Sequence, residues 1–528
     1  MQVGRPFTVR FVNLPAHSAG LLVAGWHRDR WLGRPLPLSL DPLGMTGCSL
    51  HVRPESLFWF PTGSGAGRWD LAAPAMPALS GARLKSQMLF AQRNANPLGI
   101  GSTNALELVI GAGTRNLSRI DRHGITWTFD REYPVGRFCN GDWWVVGPVA
   151  IVSISPATAV SNGRTVNGSM VNPTPGQENG YDSQLAGYSD SRNAARGVAP
   201  SNPLVLQPGT SLISAISQLD PLPNSVARLR TAAVLTVVGA EPPADAFRPP
   251  YAGTDKAVRF REAQLDYGVL ARLAPASGAP SMAAAAALFE RVWLDHVPDW
   301  QSRYLHPVEN MRDYGRDLAA DTGTGALMLN CDFPDAEKRD LFVRMVQLGI
   351  DEFGNLVNGC HWVGDGGHGS GRKFPILLAG RALGDAAMLA VGQNYDSYYS
   401  GPQGPNPSYF GEDSQTFYVT ETSPGVFDWG YGNYRAADRG LPEWGIRHSY
   451  RPELDSSDWN NPAYRTCCTA NAWIGYCLAA RVMGLQQAWN HPAWFDYMDR
   501  FAAREPSGWT RAWKPWHGAM WDAYRGQF

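Results

Sequence analysis

Charge is scarce in this sequence of 528 residues: 18% are Asp, Glu, Lys or Arg, and the formal net charge is −1. No run of Lys or Arg occurs, which argues against a nucleic-acid partner, because phosphate backbones are bound by basic patches. No stretch of about 18 uncharged apolar residues occurs either, so no transmembrane helix is expected and no membrane partner is implied. Seven cysteines are scattered at 48, 139, 331, 360, 467, 468 and 477. Apart from the adjacent Cys467-Cys468 they show no grouping. Without CxxC spacing a zinc ribbon or dithiol motif is not expected, and an odd count gives no disulfide framework. Met1-Gln-Val-Gly opens without a charged or apolar leader region. Either the protein is cytoplasmic or this is the mature or truncated form of a secreted or periplasmic one, and we prefer the second.

Aromatic residues are abundant: 20 Trp and 19 Tyr. Many stand beside polar loop residues, among them Trp143-Trp144, Tyr398-Tyr399, Trp429, Tyr431, Tyr434, Trp444 and Trp459. A flat apolar face with a polar tip suits a sugar ring. Core packing accounts for the others.

The hydrophobic period changes along the chain. Phe7–Val12, Leu21–Trp26 and Asn104–Ile110 read as strands separated by Pro/Gly/Ser clusters, so residues 1–112 are expected to form a small β-sandwich. Ile125–Phe129, Asp142–Val146, Val149–Ile154 and Thr231–Val238 continue the strand pattern through a β-rich domain at 113–250. The polar stretch 156–210 inside it is unusually long for a loop. Arg131–Asp142 either presents groups to a cleft or forms a domain junction. After the prolines at 242–250, helical spacing takes over in Ser281–Asp295, Lys338–Phe353, Pro375–Ala390, Thr469–Met483 and Pro492–Ala503. Paired helices joined by Gly/Pro/aromatic loops point to an α/α toroid or bundle over 251–528. The expected fold is therefore multidomain α and β.

The densest chemistry lies in Gly354–Lys373, where seven glycines surround His361, Asp365, His368, Arg372 and Lys373. The phosphate-loop pattern GxxxxGK[ST] fails because Phe follows Lys373. GxSxG fails because His368 stands where glycine is needed, and HExxH is absent. Cys360, His361, Asp365 and His368 have the chemistry of metal ligands but match no standard spacing, so no metal and no cofactor is assigned. Two readings remain. One is a substrate loop in which glycine admits close backbone approach, histidines exchange protons, and Arg372 and Lys373 meet an anion. The other is a tight helix–helix turn. A second cluster, Val308–Arg316, holds Asn310, Tyr314 and Arg316, suited to a carboxylated sugar if it is not simply a solvated helix start. Further candidates are Trp362, Glu412 in Phe410–Tyr418, His448 and Tyr450 in Glu443–Arg451, and Arg465.

Two resemblances bear on these segments. Leu36–Asp41, Phe60–Gly63 and Pro74–Leu79 loosely resemble accessory sandwich domains on secreted proteins of environmental bacteria, which implies no activity. Gly366–Lys373, Gly411–Tyr418 and Trp489–Arg500 resemble α/α-toroid polysaccharide lyases and their bacterial relatives. That likeness implies β-elimination from a uronate polymer such as alginate, glucuronan or a glycosaminoglycan. The catalytic candidates are then His368 or His361 as base, Tyr314 or Tyr450 as acid, and Arg372 or Arg316 with Asn310 for the carboxylate. Asn310, Arg316, Lys373, Trp362, Glu412, His448 and Arg465 are the candidates for substrate binding. An inverting hydrolase on the same scaffold is the alternative, with Glu309, Asp313, Asp365, Glu412, Asp413 and Glu443 as carboxylates. A non-catalytic carbohydrate-binding surface protein is the third.

Overall fold

The computed structural model describes the chain except residues 1–5, 12–13, 16–17, 27–29, 63–66, 73–82, 110–114, 177, 221, 223–224, 298–303, 309–314, 363, 365–366, 397, 400–404, 407–408, 422–423, 426–432, 446–455, 460–464 and 505–512. Residues 1–115 and 116–528 are two compact units. In the first, the strands at Ser18–Gly25, Ser56–Thr62, Arg83–Ala91, Ile100–Ser102 and Leu106–Val109 make an antiparallel five-stranded sheet. Alternation sends Leu22 and Ala24 to one buried cluster and Val23 to another, so this sheet is apolar on both faces. The strands at Pro6–Phe11 and Gly67–Ala72 pair separately.

The second unit holds both the central sheet and the helices, with no division between compact units near residue 250. Its eight-stranded sheet runs Ser169–Val171, Thr210–Ser217, Leu229–Val238, Trp143–Val146, Ile125–Arg137, Val149–Ser155, Leu204–Leu206, with Arg115–Arg122 also on Ile125–Arg137. The pairing of Trp143–Val146 with Leu229–Val238 is parallel. Residues 231–238 are apolar almost throughout because both faces are covered: Ala233, Leu235 and Val237 meet one core, and Ala232 and Val234 another. That second core includes Tyr251, Leu294, Val297 and Leu305, so the sheet is packed on the chain that leads into the helices. The polar stretch 156–210 is not one structureless loop. It carries short strands at Ala159–Ser161, Arg164–Val166, Ser169–Val171 and Leu204–Leu206. For Arg131–Asp142 the junction reading fits the geometry. Buried Arg248 donates to Asp142 at 2.8 Å and to Asp351 at 2.9 Å, tying sheet to helix.

The helices are α1 Met282–Ala287, α2 Gly315–Asn330, α3 Asp335–Val357, α4 Lys373–Leu383, α5 Ala386–Leu389, α6 Val391–Asn394, α7 Gly411–Gln415, α8 Ala470–Val482, α9 Gln486–Trp489, α10 Pro492–Arg504 and α11 Pro515–Tyr524. The expected helix at Ser281–Asp295 stops at Ala287, and that at Pro375–Ala390 breaks at Gly384, whose φ of +69° ends α4. Close helix approach explains the glycines inside elements. Gly323 of α2 faces Gly475 of α8, and Gly349 of α3 lies against Pro375 of α4. Most of the named aromatics serve the interior: Trp143, Trp144, Tyr434, Trp444 and Trp459 are all buried.

Candidate functional site

The loop between α3 and α4 is where four elements meet. Gly367 has φ +100°, and a Cβ there would collide with the carbonyl oxygen of Cys468. Gly371 has φ +92°, and its Cβ would lie 2.8 Å from Cα of Ala319 on α2. Only glycine fits both positions, on backbone conformation and on space. Side chains then pin the loop. Thr322 donates to the Gly371 carbonyl at 3.2 Å, and Trp473 Nε1 of α8 donates to Ser370 Oγ at 2.9 Å. The Gly371 N–H donates to Glu412 Oε1 at 2.7 Å, and the Gly364 N–H to Ser414 Oγ at 2.8 Å.

The two loop cations face the protein's own carboxylates. Arg372 is fully enclosed; its Nε and Nη2 donate to Asp295 at 3.1 and 2.9 Å, while Nη1 donates to the carbonyls of His368 and Ser370. Lys373 pairs with Asp413 and donates to the Trp489 carbonyl at 2.6 Å. A buried cation requires such a partner. The expectation that these two meet a substrate anion is replaced by a structural role.

Burial also sets the proton affinities. Burial alone would raise Asp295, but the Arg372 guanidinium and then His306, whose Nε2 is 2.9 Å away, hold its carboxyl well below the usual range. Glu352 is the reverse: burial, then the Asp295 charge beside it, push its carboxyl well above normal. Glu412 is fully buried, and burial followed by the Asp413 charge raises it to about 7, with the Gly371 N–H bond opposing. The Tyr476 hydroxyl is its other neighbour. His361 is half-buried, and burial lowers its imidazole to about 4, leaving it neutral at pH 7. His368 is 2% exposed.

The remaining candidates divide clearly. Arg316, in the first turn of α2, is partly exposed; it donates to the Cys467 carbonyl at 2.8 Å and lies 4.9 Å over the Trp513 ring. Trp362 is buried against Phe410 and donates to the Asp295 carbonyl at 3.3 Å, so its ring is a packing surface. Arg465 is enclosed by Trp444, Trp459 and Tyr497 and pairs with Glu443 at 3.1 Å. Asn310, Tyr314, His448 and Tyr450 lie outside the described residues, as do Glu309, Asp313 and Asp365. Among the described residues no group of three His, Cys, Asp or Glu could hold a metal ion. Cys360 instead donates to the Asp295 carbonyl at 3.1 Å.

Three features escape sequence reasoning. Asp295 belongs to no motif. Glu352 does carry a signal: Leu341, Met345, Leu348, Glu352 and Asn355 follow helical spacing and are all buried, so a carboxyl occupies the apolar face of α3. The third is a disulfide between the adjacent Cys467 and Cys468, a single bridge rather than a framework; the other five cysteines form no disulfide.

Neither a protein-family model nor a curated protein matches the chain. Among solved structures, one of Salmonella alpha-2-macroglobulin reacted with methylamine aligns at 9% identity with a TM-score of 0.17. The alignment covers 98% of this chain and 36% of that one, and a likeness so slight carries no argument about fold or function.

Proposed function

We propose that this protein is a polysaccharide lyase that cleaves a uronic-acid-containing polymer by β-elimination, working outside the cytoplasm. In this reading the helices form an α/α toroid and residues 1–112 an accessory sandwich. The observation that carries it is the convergence of α2, α7, the turn before α8 and the glycine loop, which gathers Arg316, His368 and Glu412 around one short segment. β-Elimination requires neutralisation of the C6 carboxylate, a base for the C5 proton and a donor to the O4 leaving group. Of the two arginines expected at the carboxylate, Arg316 takes the role, since it is partly exposed at this convergence and held on an aromatic face, whereas Arg372 is enclosed. Asn310 and Tyr314 precede it by six and two residues in sequence. His368 is the proposed base. Glu412, held near 7, takes up or returns a proton at neutral pH. Both are enclosed, so in this reading the sugar reaches them only with the loop displaced.

One observation favours a second reading, an inverting glycoside hydrolase: a carboxyl raised to about 7 is what a general acid needs. Asp413 and Glu443 serve it less well, because each is committed to a buried cation. The two readings separate on a polymer whose carboxylates have been reduced to alcohols. A lyase should lose at least about a hundredfold in rate on it, the scale of losing a preorganised charge contact, and a hydrolase should keep its rate. Retained turnover would overturn the lyase assignment.

A further inference from the structure

We infer that Cys467–Cys468 is a thiol–disulfide exchange site whose reduction loosens the glycine loop, placing the candidate site under redox control. Control of activity rests on the function proposed above; the coupling between disulfide and loop does not. The disulfide lies in Arg465–Thr469, a single π-helical turn before α8. Cys467 is half-buried and Cys468 buried, so Cys467 is the end of the bond assigned to attack by a small thiol.

Each cysteine carbonyl holds a different part of the site. That of Cys467 accepts from Arg316 at 2.8 Å and from Asn471 at 3.2 Å. That of Cys468 is seated against Gly367, so closely that no side chain fits between them. The disulfide closes a small ring around the peptide joining the two residues; that ring contains the Cys467 carbonyl carbon and the Cα of Cys468, and so limits where each can move. Opening the ring frees that peptide, and the π turn can relax to α-helical geometry as an extension of α8. Either change turns the Cys467 carbonyl away from Arg316 and shifts the backbone of Cys468, whose carbonyl is packed on Gly367.

The chemistry balances with an external dithiol. One of its thiolates attacks the Cys467 sulfur, forming a mixed disulfide and releasing Cys468 as a thiolate. The second thiol of the dithiol then displaces Cys467. Two electrons pass to the protein, leaving two cysteine thiols and an oxidised cyclic reagent.

Thiol titration of the denatured, unreduced chain should give five thiols, rising to seven after dithiothreitol. Hydrogen exchange on the full-length native protein should then show residues 367–371 and 316–322 exchanging about tenfold faster after reduction. The C467S/C468S double variant should resemble the reduced protein and ignore dithiothreitol. Reduction of the wild-type chain makes the same comparison without a substitution. A C48S/C139S variant should keep the response, since those two are the half-buried free cysteines. Seven thiols before reduction, or loop exchange unaffected by it, would overturn the proposal. If exchange responds but no uronate polymer is cleaved in either state, the redox coupling stands and the lyase reading fails.

Discussion

Arg372 and Glu412 lie on either side of the same glycine, yet burial does opposite things to them. Arg372 is matched by Asp295, and removing one partner strands the other charge in the interior. Arg372→Met should therefore cost about 3–5 kcal/mol, the range for a broken buried pair. Urea unfolding at pH 7 measures it, and an unchanged midpoint would refute the structural role. Glu412 has no matching cation among its main influences, and its carboxyl is raised from 4.5 to about 7. A folded-state value above the unfolded one means that its contribution to stability is complete below about 4.5 and is lost as pH rises through about 7. Glu412→Gln removes that dependence. Relative to the variant, the wild type should lose on the order of 3 kcal/mol between pH 4.5 and pH 8. A wild-type-minus-variant difference that stays flat with pH would contradict the assignment.

At the scale of elements, the loop is held by backbone shape as much as by hydrogen bonds. Gly371→Ala adds a methyl at positive φ against the α2 backbone, where nothing flexible can yield. A loss of about 1–3 kcal/mol is expected, read as a lowered thermal midpoint; an unchanged midpoint would mean that the loop is not clamped. Long regular elements were legible in the sequence because burial leaves a pattern: Pro492–Arg504 keeps the helical spacing expected of it, and Leu229–Val238 follows an apolar run covered on both faces. The short helices and the early end of α1 were not, since elements of four to six residues are too short to show a helical period. The site was half legible. Its glycines and ionisable residues are plain in the sequence, but their pairing is not. Asp295 lies 77 residues from Arg372 and Asp413 lies 40 from Lys373, so loop cations that look free to bind an anion are already neutralised.

Over the whole molecule, two compact units predict two steps on heating. Calorimetry should resolve a transition for residues 1–115 and another for 116–528. Arg248 joins Asp142 of the sheet region to Asp351 of α3, so Arg248→Met should lower the second transition and leave the first in place. A shift in both would show that the units do not unfold independently.

The central claim is chemical, and ultraviolet absorbance tests it directly. Incubated with alginate, glucuronan and glycosaminoglycans in turn, the protein should generate on one of them a C4=C5-unsaturated product that absorbs in the ultraviolet, in step with new reducing ends. Arg316→Met should suppress that absorbance by at least about a hundredfold. New reducing ends without ultraviolet absorbance would make the protein a hydrolase, and neither signal on any uronate polymer would contradict the account.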